Sequence, residues 1–323
     1  MTLTSDQAVE VLRAAGEPTR LRILALLGRE ELAVLELTRI LGQSQPRVSR
    51  HLKLLAEAGL VERFPDGAWV FYRLVGPGPV RTLVDQALAL VSATDATFAR
   101  DAERLSGVAS ERANQAALYF AEYAERWDEI RSLYTAEADV EAAILKAAGE
   151  GPFRRLVDLG SGTGRMLTLL GPRAKSAVGL DLSRQMLNIA RDQVARAGLA
   201  ACELRHGDIL GTGLPDAEAD LVVVHQVLHY LGEPAAAVAE AARLVSPGGR
   251  LLIVDFAPHD LEFLRAEHRH RRLGFFDDEI ERWLAGSGLT PFTVQSLPPA
   301  TAGGLTVKLW GAENRAERLR RVA

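Results

Sequence analysis

Three acids and a run of glycines carry the clearest chemistry in this chain. Leu156, Val157, Asp158, Leu159, Gly160, Ser161, Gly162, Thr163 and Gly164 form an apolar strand that runs into a Gly-x-Gly-x-Gly turn. Such a turn lets backbone approach a ligand where a Cβ would clash. Asp158 lies two residues before Gly160, where a carboxylate can receive an ammonium group. Asp181 follows Gly160 by 21 residues, at the end of Val178-Gly179-Leu180-Asp181. An acid at that place accepts hydrogen bonds from both hydroxyls of a ribose. Gly207-Asp208-Ile209 follows the next strand, placed to meet an adenine amino group. The glycines alone also fit dinucleotide sites. A nicotinamide site, the runner-up reading, more usually shows Gly-x-Gly-x-x-Gly.

Further on comes His225-Gln226-Val227-Leu228-His229-Tyr230. His229 could serve as a general base and Tyr230 could line an acceptor pocket. Both could equally be ordinary residues at a segment end. The chain has no Asn-Pro-Pro-Tyr sequence of the kind used for amino-group methylation. The front of the chain offers different chemistry. Ser44-Gln45-Pro46-Arg47-Val48-Ser49-Arg50-His51-Leu52-Lys53 starts a helix whose Val48, Leu52 and Leu55 face inward. Gln45, Arg47, Ser49, Arg50 and Lys53 can then point outward. Gln and Arg can read base edges, while Arg, Lys and Ser can hold phosphates. Ser44, His51 and Arg63 complete this candidate set, and Trp69 could approach a flanking backbone. Residues 39–73 hold six Arg or Lys against three acids, in a chain of net charge −4. A helical bundle with a solvated basic face is the plainer alternative.

These residues need elements to position them. Helical apolar spacing covers 6–15, 17–27, 32–41 and 46–57. Strand-like runs at 60–64 and 68–74 flank Asp66-Gly67, a hairpin turn signal. Two helices, a turn and a hairpin make a winged helix-turn-helix. An Ala/Leu/Val pattern from about 80 to 105 predicts one long helix, with Ser106-Gly107 as a joint. Residues 109–148 are again helical and carry Tyr119, Tyr123, Trp127 and Tyr134. From 155 onward apolar runs at 155–159, 176–180, 201–205, 220–226, 250–256, 290–297 and 304–310 alternate with helical stretches. That alternation predicts a parallel α/β sheet. The basic cluster His268-Arg269-His270-Arg271-Arg272 reads as a solvated helix face.

Composition narrows the classes. The 323 residues suffice for two or three domains. A single cysteine, Cys202, excludes an intramolecular disulfide and a multi-thiolate metal site. No apolar run reaches membrane-spanning length and no signal-peptide pattern opens the chain, so the expectation is a cytoplasmic protein without membrane partners.

Residues 17–74 resemble ArsR-type regulators. Pro18-Thr19-Arg20-Leu21-Arg22-Ile23-Leu24 looks like their second helix, and Ser44 to Val61 looks like their recognition helix and its exit. Classical members sense metals through the thiolate motif ELCVCDL. Here the stretch reads Glu31-Leu32-Ala33-Val34-Leu35-Glu36-Leu37, with Ala33 and Leu35 at the cysteine positions. A second family site uses Asp and His on the dimer helix, and 77–105 contains no His. No metal is therefore expected. The resemblance implies a homodimer through the 80–105 helix, although an intramolecular packing helix fits the same pattern. A two-fold dimer would read a double-stranded operator with half-sites roughly 34–36 Å apart.

Residues 110–323 resemble class I S-adenosylmethionine-dependent methyltransferases, with Ser246-Pro247-Gly248-Gly249 before the fifth strand as a further motif. The resemblance implies that Asp158 and the turn Gly160, Ser161, Gly162 and Gly164 hold the methionyl end. It places Asp181 at the ribose and Asp208 with Ile209 at the adenine, and Leu182 joins the cofactor-binding set. Met186 would pack on the adenine, and His225 and Gln226 would border the cofactor. Tyr119, Tyr123 and Trp127 match leading helices that lid the pocket, or are plain aromatic core.

The expected architecture is α/β with an all-α-plus-wing N-terminal domain: a winged helix-turn-helix over 1–76, a dimerisation or linker helix over 77–107, and a Rossmann-like class I methyltransferase domain over 108–323. The expected function is a transcriptional repressor that senses S-adenosylhomocysteine or S-adenosylmethionine and controls genes of the methionine cycle. The alternative is an active methyltransferase tethered to DNA. A degenerate domain serving only as a scaffold is disfavoured by the intact acids.

Overall fold

The computed structural model describes residues 3–66, 69–76, 78–92, 94–124, 137–299 and 304–316. The chain divides into two units, Met1–Asn114 and Gln115–Ala323.

In the first unit, helices α1 (Ser5–Ala15), α2 (Pro18–Leu27), α3 (Val34–Leu41) and α4 (Gln45–Glu57) lie close to their expected spans. Local chemistry sets their ends. Thr4 and Gln7 cap α1 reciprocally, with Gln7 N–H donating to Thr4 Oγ1 (3.3 Å) and Thr4 N–H to Gln7 Oε1 (3.0 Å). Gly42 leaves α3 at φ +65°, the left-handed exit that glycine adopts freely. Strand β1 (Leu32–Ala33) pairs with β3 (Trp69–Leu74), which pairs with β2 (Val61–Asp66), all antiparallel. The two-residue β1 is too short for a periodicity signal and was expected as helix. Ile23, Leu24, Leu37, Ile40, Val48, Leu52, Leu55 and Leu60 are wholly buried between these elements. Removing their apolar surface from water is the main force holding the unit.

The expected single helix over 80–105 is two helices, α5 (Pro79–Ala89) and α6 (Ala96–Tyr123). The Asp95 carboxylate accepts from Thr97 N–H (2.8 Å) and Phe98 N–H (3.1 Å). That is an N-cap, which starts a new helix and ends the old pattern. Ser106-Gly107 is no joint, because α6 runs through it; a lone glycine within a strong helical pattern is tolerated. The early part of α6 docks on its own unit. Arg22 grips Asp101 through Nε (2.5 Å) and Nη2 (2.7 Å), and Arg104 Nη1 donates to Ile40 O (2.9 Å). Val84, Leu105 and Val108 join the apolar core.

The second unit holds α7 (Glu137–Ala148), α8 (Arg165–Leu170), α9 (Arg184–Arg196), α10 (Pro234–Leu244), α11 (Phe263–His268) and α12 (Asp277–Gly286). Its strands are β4 (Leu156–Leu159), β5 (Ala177–Asp181), β6 (Cys202–His206), β7 (Ala219–His225), β8 (Val245–Phe256), β9 (Thr290–Leu297) and β10 (Val307–Glu313). They form one sheet in the order β6-β5-β4-β7-β8-β10-β9. Neighbours are parallel from β6 through β8, whereas β10 runs antiparallel to both β8 and β9. The connection between β9 and β10 is too short for the crossover that a parallel partner requires. Side chains alternate between two apolar layers: Val157, Leu159, Val222 and Val224 enter one, and Leu156, Leu221 and Val223 the other. Strand order reverses between β4 and β7, the place where open parallel sheets form a ligand crevice.

The cluster at 268–272 is not a solvated helix face. The helix stops at His268, Arg269 turns left-handed at φ +59°, and the chain then carries His270 and Arg272 into the interior. Arg272 Nη2 pairs there with Glu279 at 3.0 and 3.1 Å. A buried charge survives when paired in this way. No helix among the described residues is long and apolar enough to cross a membrane.

Candidate functional site

Helix α4 separates its two faces as its spacing requires. Val48, Leu52 and Leu55 are buried, while Ser44, Gln45, Arg47, Arg50 and Lys53 are exposed and Ser49 is half-buried. Ser44 is the N-cap residue and makes no side-chain capping bond. Lys53 lies 3.7 Å from Glu57 on the solvent side. Arg63 stands exposed on β2, and Trp69 is exposed at the start of β3. His51 differs from these. It is turned inward, with Nδ1 3.5 Å from Glu17 Oε2. Burial lowers its pKa, opposed by Glu17 and reinforced by Arg20, Arg47 and Arg50.

In the second unit, the glycine turn sits at the C-terminal end of β4. Gly160 adopts φ +73°, and a Cβ added there would meet Val227 Cγ2 at 2.4 Å. Glycine is thus required both for backbone conformation and for close approach of the segment after β7. Gly160 and Ser161 N–H both donate to Leu180 O (2.8 Å), tying the turn to β5. Asp158 and Ser161 are buried, with Asp158 1% exposed. Asp181 accepts from Gly162 N–H (2.8 Å) and Ser183 N–H (2.7 Å), so it closes the turn before any ligand arrives. A carboxylate offers about four lone-pair sites, which leaves capacity for hydroxyl donors. Burial pushes the Asp181 pKa up, against the two N–H donors and His206.

The other expected cradle residues lie around the same strand ends. Ser183 caps α9 through Met186 N–H (3.3 Å), and Met186 is buried. Leu182 is exposed, and its carbonyl meets His206 Nε2 at 3.0 Å. Gly207 N–H donates to Asp181 O, which brings the Asp208 segment beside β5. Asp208 Oδ1 accepts from Leu210 N–H (2.9 Å), and Ile209 is buried. His225 ends β7, and Gln226 follows at φ +54°, an uncommon conformation for a non-glycine residue. Strained backbone of this kind gathers at functional sites.

Tyr119, expected at the lid, is buried. Its hydroxyl meets His268 Nδ1 at 2.7 Å, and its ring lies 4.8 Å from Tyr123. Phe120 packs edge-on against Tyr230 at 4.9 Å. Trp127 and Tyr134 lie outside the described residues.

Sequence reasoning missed two partners of His229. Asp255, in β8, accepts from His229 Nδ1 at 2.7 Å, and both side chains are buried. His270 lies 4.1 Å from His229 between ring centroids. A signal for Asp255 existed: it is the one acid in the run Leu251-Leu252-Ile253-Val254-Asp255-Phe256. An acid in a buried strand needs a partner. Among the described residues, no group of three or more His, Cys, Asp or Glu is arranged to hold a metal ion.

Together, the sheet order and glycine turn define a class I methyltransferase fold, and the front unit defines a winged helix-turn-helix. Comparison with known proteins agrees. Residues 17–63 match the arsR family of bacterial regulatory proteins, and residues 157–253 match a methyltransferase domain family. The chain is 42% identical over 98 residues to an arsenic resistance transcriptional regulator of Pseudomonas putida, covering 30% of this chain and 75% of that protein. It is 34% identical over 158 residues to a phosphatidylethanolamine N-methyltransferase of Cereibacter sphaeroides, covering 47% and 76%. A solved complex between the Haloferax volcanii Trm112 methyltransferase activator and a methyltransferase contains a similar fold, with TM-score 0.51 and 21% identity over 62% of this chain and 97% of that one. The chain spans about half to two thirds of the length of several other curated relatives. The chain belongs to the ArsR family at its front and to the class I methyltransferases behind it.

Proposed function

We propose that this protein is a DNA-binding transcriptional repressor whose DNA affinity is set by an S-adenosyl ligand held in its methyltransferase-type domain. The observation that carries this reading is the acid set. Asp158, Asp181 and Asp208 stand at or just beyond the ends of three adjacent parallel strands, around a glycine turn. They share a chain with an exposed basic face on α4. In this reading Gln45, Arg47, Ser49, Arg50 and Lys53 face the DNA, with Ser44 and Arg63 at the flanking backbone; His51 supports the helix from behind. In this reading the front unit, Met1–Asn114, reads DNA and supplies the dimerisation surface, and the second unit, Gln115–Ala323, holds the ligand. Exposed Val9 and Leu12, one helical turn apart on α1, and Leu90, 89% exposed, supply apolar surface for a homodimer.

S-Adenosylhomocysteine is the favoured signal, because it reports that methylation has outrun recycling, and genes of the methionine cycle are the favoured targets. Discrimination would rest on one methyl group and one positive charge. Excluding a methyl contributes about 1–3 kcal/mol. Calorimetric titration with S-adenosylhomocysteine and S-adenosylmethionine in parallel tests the reading. Tighter binding of the homocysteine form is expected. Asp181→Ala should lose ligand affinity and keep basal DNA binding; a variant that binds ligand normally would move the sensor elsewhere.

A further inference from the structure

Asp255 is fully buried at the end of β8 and accepts three N–H donors: His229 Nδ1 (2.7 Å), Phe256 N (2.8 Å) and His229 N (3.4 Å). The carbonyl of His229 is held in turn by Arg271 N–H (2.8 Å) and Arg272 N–H (3.0 Å). The imidazole therefore has a fixed position. A proton on Nδ1, donated to a carboxylate, leaves Nε2 as the basic nitrogen. This is more machinery than a segment end needs.

Its place in the fold matters. His229 lies two residues beyond Val227, whose methyl seats against Gly160. Those two segments follow β7 and β4, the strands between which the sheet order reverses. The pair thus flanks the crevice where the glycine turn lies. The surroundings are flat and largely apolar. Tyr230 lies 4.1 Å and Phe256 5.0 Å from the His229 ring, and Phe256 stacks on His270 at 5.7 Å with rings 16° apart. Burial, with His229, His259, His268 and Arg265 nearby, keeps the His270 pKa well below the usual imidazole value. A neutral His270 would not repel a proton arriving on His229.

We propose that His229, positioned by Asp255, is a general base beside the S-adenosyl cradle, and that it serves methyl transfer to a flat acceptor bearing an acidic hydroxyl, a phenol or an enol. The inference rests on the S-adenosyl reading of the glycine turn. The acceptor O–H gives its proton to His229 Nε2 as its oxygen forms a bond to the methyl carbon. The methyl–sulfur bond breaks, and its electron pair goes to sulfur. The products are a methyl ether, S-adenosylhomocysteine and an imidazolium paired with Asp255, which then releases its proton to water. A phenol or an enol gives its proton to imidazole more readily than an aliphatic alcohol does, and the aromatic surroundings favour a planar partner. In a regulator, such turnover would generate the by-product in its own pocket.

The test uses the full chain with 4-nitrophenol, whose ionisation changes its absorbance. With S-adenosylhomocysteine bound, and below the pKa of the free phenol, the wild type should raise the phenolate fraction of bound probe. His229→Asn should abolish that rise, and Asp255→Asn should weaken it, both with S-adenosylhomocysteine affinity retained. With S-adenosylmethionine present, methylated phenol should form. His229→Asn should lower the rate of its formation by about 100-fold or more, the usual contribution of a general base. Tyr230→Phe should raise KM and leave the phenolate rise in place. If either polar variant fails to fold, the wild-type ionisation shift decides. S-Adenosylhomocysteine binding without any phenolate rise, or an equal rise in His229→Asn, would overturn the base. Absence of S-adenosyl binding in the wild type would instead remove the reading beneath it.

Discussion

The two units carry their functional side chains in opposite ways. On α4, Gln45, Arg47, Arg50 and Lys53 are exposed, and the residues that hold the helix, Val48, Leu52 and Leu55, are different ones. In the second unit most residues with chemistry are interior: Asp158, Asp255, His229 and His270 are buried, while Asp181 is half-buried and Asp208 exposed. A surface site can change without cost to its fold. In a buried site, binding and stability share the same atoms, so most substitutions alter both.

Substitutions can sharpen or break this contrast. The largest effect belongs to the frame of the front unit. Asp101→Ala leaves the half-buried Arg22 without its bidentate partner, and losing hydrogen bonds between charged groups of this kind costs about 1.5–3 kcal/mol. Denaturant unfolding should show that loss, and an unchanged midpoint would deny the pair its role. Gly160→Ala comes next. The new Cβ meets Val227 in a left-handed backbone, which should cost about 1–3 kcal/mol and cut S-adenosyl affinity together with stability. A stable variant with normal affinity would refute the coupling. Arg50→Ala should weaken DNA binding by about 1–3 kcal/mol while its melting temperature stays with the wild type. A fall in melting temperature would mean that α4 does not separate its two faces.

The smallest effect is on acid stability. Burial holds the pKa of His270 well below its ordinary value of 6.5. The unfolded chain then takes up the proton first, so stability is full above about pH 6.5 and declines as pH falls below it. His270→Gln should flatten that decline in the second unit. An unaltered slope would assign the acid sensitivity to other groups.

Much of this was readable from residue order. The strand runs from 155 onward and the hairpin around Asp66 follow from short apolar stretches between turn residues. The glycine turn was legible because its spacing is local. The rest depended on contacts distant in sequence. The helix break at 90–95 hid because Ala and Leu patterns lie on both sides of the short polar stretch Ser92, Thr94 and Asp95, where Asp95 caps the new helix. His270 and Arg272 looked solvated because a run of five basic residues conceals which of them turns inward. The partnership of His229 and Asp255 joins the turn after β7 to β8, 26 residues away, and has no local pattern.

One measurement bears most directly on the central claim. The affinity of the full chain for a DNA duplex selected from a random pool should be determined with and without saturating S-adenosylhomocysteine. Coupling between sites of this kind commonly amounts to about 1–3 kcal/mol, a change of roughly 5–150-fold. A change in that range, absent in Asp181→Ala, is the predicted result. Equal DNA affinity with and without bound ligand would contradict a sensor and leave two functions sharing one chain.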